Sequence, residues 1–151
     1  MAYSIFSVFQ ENCFSSLVGA IPNITIVNGT DTSVHVRSIE AKYGEAVELI
    51  CHLSYKVSKV IMVTKFSMRW KKENGNKILR EIKVPLKKSF RVEYLEEFLF
   101  KYTVVVNSYH DGGTYSCLLD GSINSPGYIT NLTESVELKS KLIQYTYYSC
   151  N

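Results

Sequence analysis

From Asn23 onward, apolar and polar residues alternate in short runs, and no helical period is sustained long enough to compete. The clearest run is Lys65 to Lys71, with Phe66, Met68 and Trp70 on one face and Lys65, Ser67, Arg69 and Lys71 on the other. That is the pattern of a strand with one wet face. Within Ala46 to Leu53, the residues Val47, Leu49, Cys51 and Leu53 share a face opposite Glu48 and His52, and Ile50 is the apolar exception on the wet side. A longer run, Phe98 to Val106, sets Phe98, Phe100, Tyr102, Val104 and Val106 together against Lys101 and Thr103. Further strands are expected over Asn23–Val27, Ser33–Ile39, Lys77–Val84, from Ser89 to Tyr94, and over Tyr128–Leu138, with Tyr115 and Cys117 pointing inward. Asn28-Gly29, Asn74-Gly75 and Asp111-Gly112-Gly113 are the turns between them. The expectation is an all-β domain without internal repeats.

Composition narrows this. A chain of 151 residues with 46% hydrophobic and 21% charged residues, 8 Gly and 3 Pro is one ordinary globular domain, which excludes disordered and collagen-like classes. No apolar stretch reaches the roughly eighteen residues of a membrane span, so any membrane anchor is expected outside this chain. The expected organisation is a segment 1–22, a domain 23–138 and a tail 139–151. Met1 to Ala20 lacks a basic start, and Gln10-Glu11-Asn12 breaks its apolar run, yet it ends in small residues. Both a degenerate signal segment and a structured extension remain open.

Cys13, Cys51, Cys117 and Cys150 lie far apart, with no C-x-x-C pair and no His at ligand spacing, which argues against zinc. Three N-x-[ST] sequons, at Asn23, Asn28 and Asn131, accompany them. Together they point to an oxidising secretory compartment and an extracellular location. If residues 1–20 stay, Cys13 can pair with Cys150; if they are cleaved, Cys150 is free to bridge two chains. No nucleophile elbow or glycine-rich phosphate loop is present, His35, His52 and His110 are scattered, and Glu96 and Glu97 point to opposite faces of a strand. Binding is therefore expected rather than catalysis, with no cofactor and no metal.

The net charge of +3 hides an uneven distribution. Between Lys65 and Arg91 stand ten basic residues against Glu73 and Glu81. Such a stripe can attract a sulfated glycan or an anionic protein face, and it can equally keep an exposed strand soluble. Its aromatic residues do not interleave with the cations as a stacking platform requires, so nucleic acid is not the expected partner.

Cys51, then Trp70, then Asp111-Gly-Gly-Thr-Tyr-Ser-Cys117 resemble the immunoglobulin superfamily, whose D-x-G-x-Y-x-C signature marks the turn before a core cysteine. The resemblance covers about Asn23 to Leu138. It implies a Greek-key sandwich of two antiparallel sheets, of variable or intermediate type, with a Cys51–Cys117 disulfide packed against Trp70. It also implies a corner hydrogen bond from Tyr115 and a salt bridge between Arg91 and Asp111. Two features depart from the family: Tyr128 to Leu138 lacks the F-G-x-G bulge, and Asn107 occupies an ordinarily apolar position. The function implied is cell-surface adhesion or reception through a protein partner, homophilic or heterophilic. The alternatives are a secreted soluble factor or immune decoy, and a glycosaminoglycan-binding matrix component. Contact is expected through Arg69, Lys71, Lys72 and Met62, the last in an extended loop, Ser54 to Thr64, while glycans cover other surface.

Overall fold

A computed structural model describes residues 22–29, 31–57, 63–75, 77–84, 94–123 and 129–141. Alternation converts these segments into strands because every second side chain must find an apolar layer. In chain order they are β1 (Asn23–Asn28), β2 (Asp31–His35), β3 (Ser38–Lys42), β4 (Ala46–Val57), β5 (Val63–Lys72), β6 (Ile78–Val84), β7 (Tyr94–Val105), β8 (Gly113–Ile123) and β9 (Ile129–Lys141). A 3-10 turn, Tyr109–Asp111, follows β7. The strands form two sheets, β2-β1-β4-β7 and β3-β9-β8-β5-β6. The protein is an all-β sandwich.

The space between the sheets is filled from both sides. Leu49, Cys51 and Leu53 of β4 and Phe100 and Val104 of β7 meet Phe66, Met68 and Trp70 of β5 and Tyr115, Cys117 and Leu119 of β8. A disulfide joins Cys51 to Cys117 across this layer, with Cα atoms 6.4 Å apart and 66 residues of separation in sequence. Loop closure of that length is worth on the order of 4 kcal/mol in the chain-entropy account. Trp70 is fully buried, and its Nε1–H donates to the Phe100 carbonyl 3.2 Å away, so the indole brings no unsatisfied donor into the core. Its ring stacks on Phe100 at 6.3 Å between centroids, and Tyr55 meets Phe66 edge-on at 5.4 Å.

Several features differ from the sequence expectation. The single strand expected over Ser33–Ile39 is two strands on two sheets. β2 returns along β1, joined to it through Gly29, whose φ of 63° suits a residue without a side chain. At Val36 and Arg37 the chain then crosses over: the Val36 N–H still donates to Ile26 of the first sheet, while the Arg37 carbonyl accepts from Glu137 of the second. β3 continues alongside β9 in parallel, so the second sheet is mixed rather than wholly antiparallel. That parallel pairing carries β9 past Leu138 to Lys141, with Glu40 opposite Lys139 and Lys42 opposite Lys141. The expected tail boundary at 139 therefore falls within a strand. Ile50 is not wet: it is 2% exposed and lies opposite Val27, itself 1% exposed. Neither belongs to the layer between the sheets, so both are buried on the outer face of the four-stranded sheet.

Candidate recognition surface

The outer face of β9-β8-β5-β6 is an array whose rows follow from strand register. Asn131, Asp120, Ser67 and Lys83 form one row, and Thr133, Leu118, Arg69 and Glu81 form the next. Arg69 Nε lies 3.0 Å from Glu81 Oε1, and its terminal nitrogen lies 3.1 Å from Asp120 Oδ2. One guanidinium therefore ties three adjacent strands together, using the fixed fork that suits Arg to two carboxylates. One row further along, Ser116 and Ser135 share a hydroxyl hydrogen bond of 2.8 Å. Lys71 is half-buried on this face, opposite Ile78 across an irregularity that follows Trp70.

Other cations of the basic stretch are also held by the fold. Lys72 Nζ donates to the His110 carbonyl and stands 5.5 Å from the centre of the Tyr115 ring. Arg80 crosses the open side of the sandwich, donating to the Lys101 carbonyl of the opposite sheet, with its guanidinium 5.5 Å from the Phe100 ring centre. The sequence counts these as surface charge; the structure uses Arg69, Lys72 and Arg80 to join strands. Lys77 and Lys83 are exposed. Met62 and Arg91 lie outside the described residues, as do Cys13 and Cys150.

At the corner before β8, Asp111 acts through its backbone and its side chain. Its carboxylate accepts from the Asn107 and Ser108 N–H groups at 2.9 and 2.8 Å, and from the Ser108 hydroxyl at 3.2 Å. These backbone donors hold its carboxyl below the usual range, and the nearby Lys72 charge adds to the effect. The Asp111 carbonyl accepts the Tyr115 hydroxyl at 2.6 Å. Burial, reinforced by the negative charge of Asp111, pushes the Tyr115 phenol up to about 12. Asn107, exposed and donating to this carboxylate, belongs to the corner rather than to the core.

The four-stranded sheet presents a different face. His52 of β4 is 8% exposed, and its Nε2 lies 3.4 Å from Glu97 Oε1 without reaching hydrogen-bond geometry with any described residue. Lys101 and Glu48 pair at 3.1 Å nearby. His110 sits at the corner, while His52 lies six residues along β4 from the Ala46–Val105 pair that ends the ladder, roughly 20 Å of strand. The two imidazoles do not form a site. Asn23 and Asn28 are exposed at the two ends of β1, and Asn131 is exposed on β9. The buried Val27, Ile50 and His52 are the feature that sequence reasoning missed. The only signal was Ile50 breaking its own alternation. The chain matches no protein-family model, and no curated protein is similar to it.

Proposed function

We propose that the chain is an extracellular recognition domain of the immunoglobulin-like, Greek-key type, working as an adhesion or receptor module that binds a protein partner. One observation carries this reading. The disulfide between the sheets, the Trp70 indole beside it and the Tyr115 hydroxyl bound back to Asp111 all occur at the positions where the sequence resembles that superfamily. The disulfide supports an oxidising compartment, because such bonds persist there and are uncommon in the cytosol. The mixed five-stranded sheet, built on β8, β5 and β6, supports a variable-type arrangement over the smaller constant type. Recognition rather than catalysis is the reading because the charged side chains that meet on this sheet, Arg69 with Glu81 and Asp120, are engaged in ion pairs with one another.

Tetramers of the disulfide-bonded protein, offered to a panel of intact cells, test the proposal. Saturable binding that surface proteolysis of the target cells abolishes and heparinase leaves unchanged is the expected result. Clumping of beads coated with this chain alone would mark the contact as homophilic. Binding lost to heparinase would replace the protein partner with a sulfated glycan, and no saturable binding on any cell would overturn the reading.

A further inference from the structure

The sequon Asn131-Leu132-Thr133 stands within a strand rather than in a loop, near the start of β9, where β8 pairs with it on one side and β3, which meets β9 only from Glu137 to Lys141, does not reach it on the other. Asn131 and Thr133 are both exposed on the outer face of β9, and Leu132 packs against the core. Asn131 shares its row with Asp120, Ser67 and Lys83, and Thr133 shares the next with Leu118, Arg69 and Glu81. We infer that Asn131 is an N-glycan acceptor whose glycan stands over the Arg69–Glu81–Asp120 cluster and closes this face to a protein partner. The inference rests on the extracellular reading above and narrows it, since it moves the contact away from Arg69.

In the covalent step, Nδ2 of the Asn131 carboxamide attacks the anomeric carbon of an oligosaccharide carried on a polyprenyl pyrophosphate. The new N–C bond forms as the sugar–oxygen bond breaks. The polyprenyl pyrophosphate leaves with the bonding pair, and the amide proton passes to a base of the transferase. Adjacent strands lie about 4.8 Å apart, so the Asn131 row reaches Ser67 within roughly 10 Å and Lys83 within roughly 14 Å. An oligosaccharide of several sugars extends over that distance. Asn23 and Asn28 belong to the other sheet, at the ends of β1, and glycans there leave these rows open.

The protein is expressed behind a leader that directs it into the endoplasmic reticulum, and glycopeptides are mapped in both the retained and the secreted pools. Peptide N-glycosidase is expected to convert Asn131 to Asp in the parent and in T133S, with no conversion at this position in T133A and no glycan on it in N131Q. An unmodified Asn131 in material whose Cys51–Cys117 bond has formed overturns the inference and leaves the extracellular reading standing. Failure of that bond to form there tells against the extracellular reading itself. Shielding is read separately, as acylation of Lys83 by a protein-sized amine reagent. The glycosylated parent should react several-fold more slowly than N131Q, with Lys77 unchanged, and equal rates at Lys83 overturn the shielding.

Discussion

On the outer face of the four-stranded sheet Val27 and Ile50 are buried beside His52, whereas the outer face of the five-stranded sheet carries Arg69 between Glu81 and Asp120. Both faces belong to strands with the same inward pattern, so the difference is not in what holds the sandwich together. It lies in how each sheet treats its second side. Apolar burial there adds stability in proportion to the area removed from water. An ion cluster that is one-third to two-fifths exposed adds little, because water screens it and long side chains lose freedom to form it. The second side of the five-stranded sheet is therefore free to vary without unfolding the domain, as a surface for recognition or modification requires.

The reference against which both faces are measured is the disulfide they share. Replacing Cys51 and Cys117 together by Ala should cost about 2–5 kcal/mol, read from the urea midpoint, and is expected to be the largest single loss. A cost below about 1 kcal/mol would show that packing around Trp70 alone holds the sheets in register.

Next comes the comparison itself. Ile50→Ala is expected to cost about 2–4 kcal/mol, as a fully buried aliphatic residue does. Leu118→Ala, at a half-buried position on the other outer face, should cost about half as much or less. Equal losses in denaturant titrations would erase the distinction between the faces.

How far these features could be read in advance depends on their range along the chain. Alternation in Lys65–Lys71 and Phe98–Val106 marks the inward set because each strand carries its own period-two record. The order Cys51, Trp70, Tyr115, Cys117 points to the staple through its resemblance to a known family. Sheet membership is different. Nothing local to Ser33–Ile39 says that the chain leaves one sheet at Val36 and joins the other at Ser38, since that is decided by partners at Ile26 and Glu137. The fate of the basic stretch was equally hidden. Glu81 is twelve residues from Arg69 and Asp120 more than fifty, and only strand register brings them to one guanidinium. Arg80 finds its acceptor on a strand of the opposite sheet.

The corner gives a smaller effect with a pH signature. Tyr115→Phe removes the hydroxyl that Asp111 accepts and should cost about 1 kcal/mol. Because the folded phenol is raised to about 12 from 10.0, folding favours its neutral form. Its contribution is thus complete below the unfolded value near pH 10 and is lost as pH rises through about 12. Tyrosinate absorbance should show a late-titrating component that is lost in Tyr115→Phe. Asp111 has the opposite sign: its depressed carboxyl contributes above its unfolded value of 3.8 and loses that contribution as pH falls through the lower folded one. Asp111→Ala should cost about 1 kcal/mol at neutral pH and flatten the acid limb of the stability curve.

The smallest effect belongs to the ion cluster, and it sharpens the comparison most. Arg69→Met keeps the stem that lies along the sheet and removes only the charge, so packing is largely retained. With both carboxylates partly in water, the net loss should be under about 1 kcal/mol at low salt and less still at high salt, where screening shortens the reach of every exposed charge. The loss has two sources: the attraction that disappears, and the repulsion between Glu81 and Asp120 that Arg69 had neutralised. Pairing Arg69→Met with Asp120→Asn separates them, because the double variant removes the repulsion as well and should recover part of the single loss. A salt-independent cost of 3 kcal/mol or more, the size expected when a buried charge loses its partner, would place the cluster in the protein interior. The outer face would then be part of the core, and the freedom assigned to it would be gone.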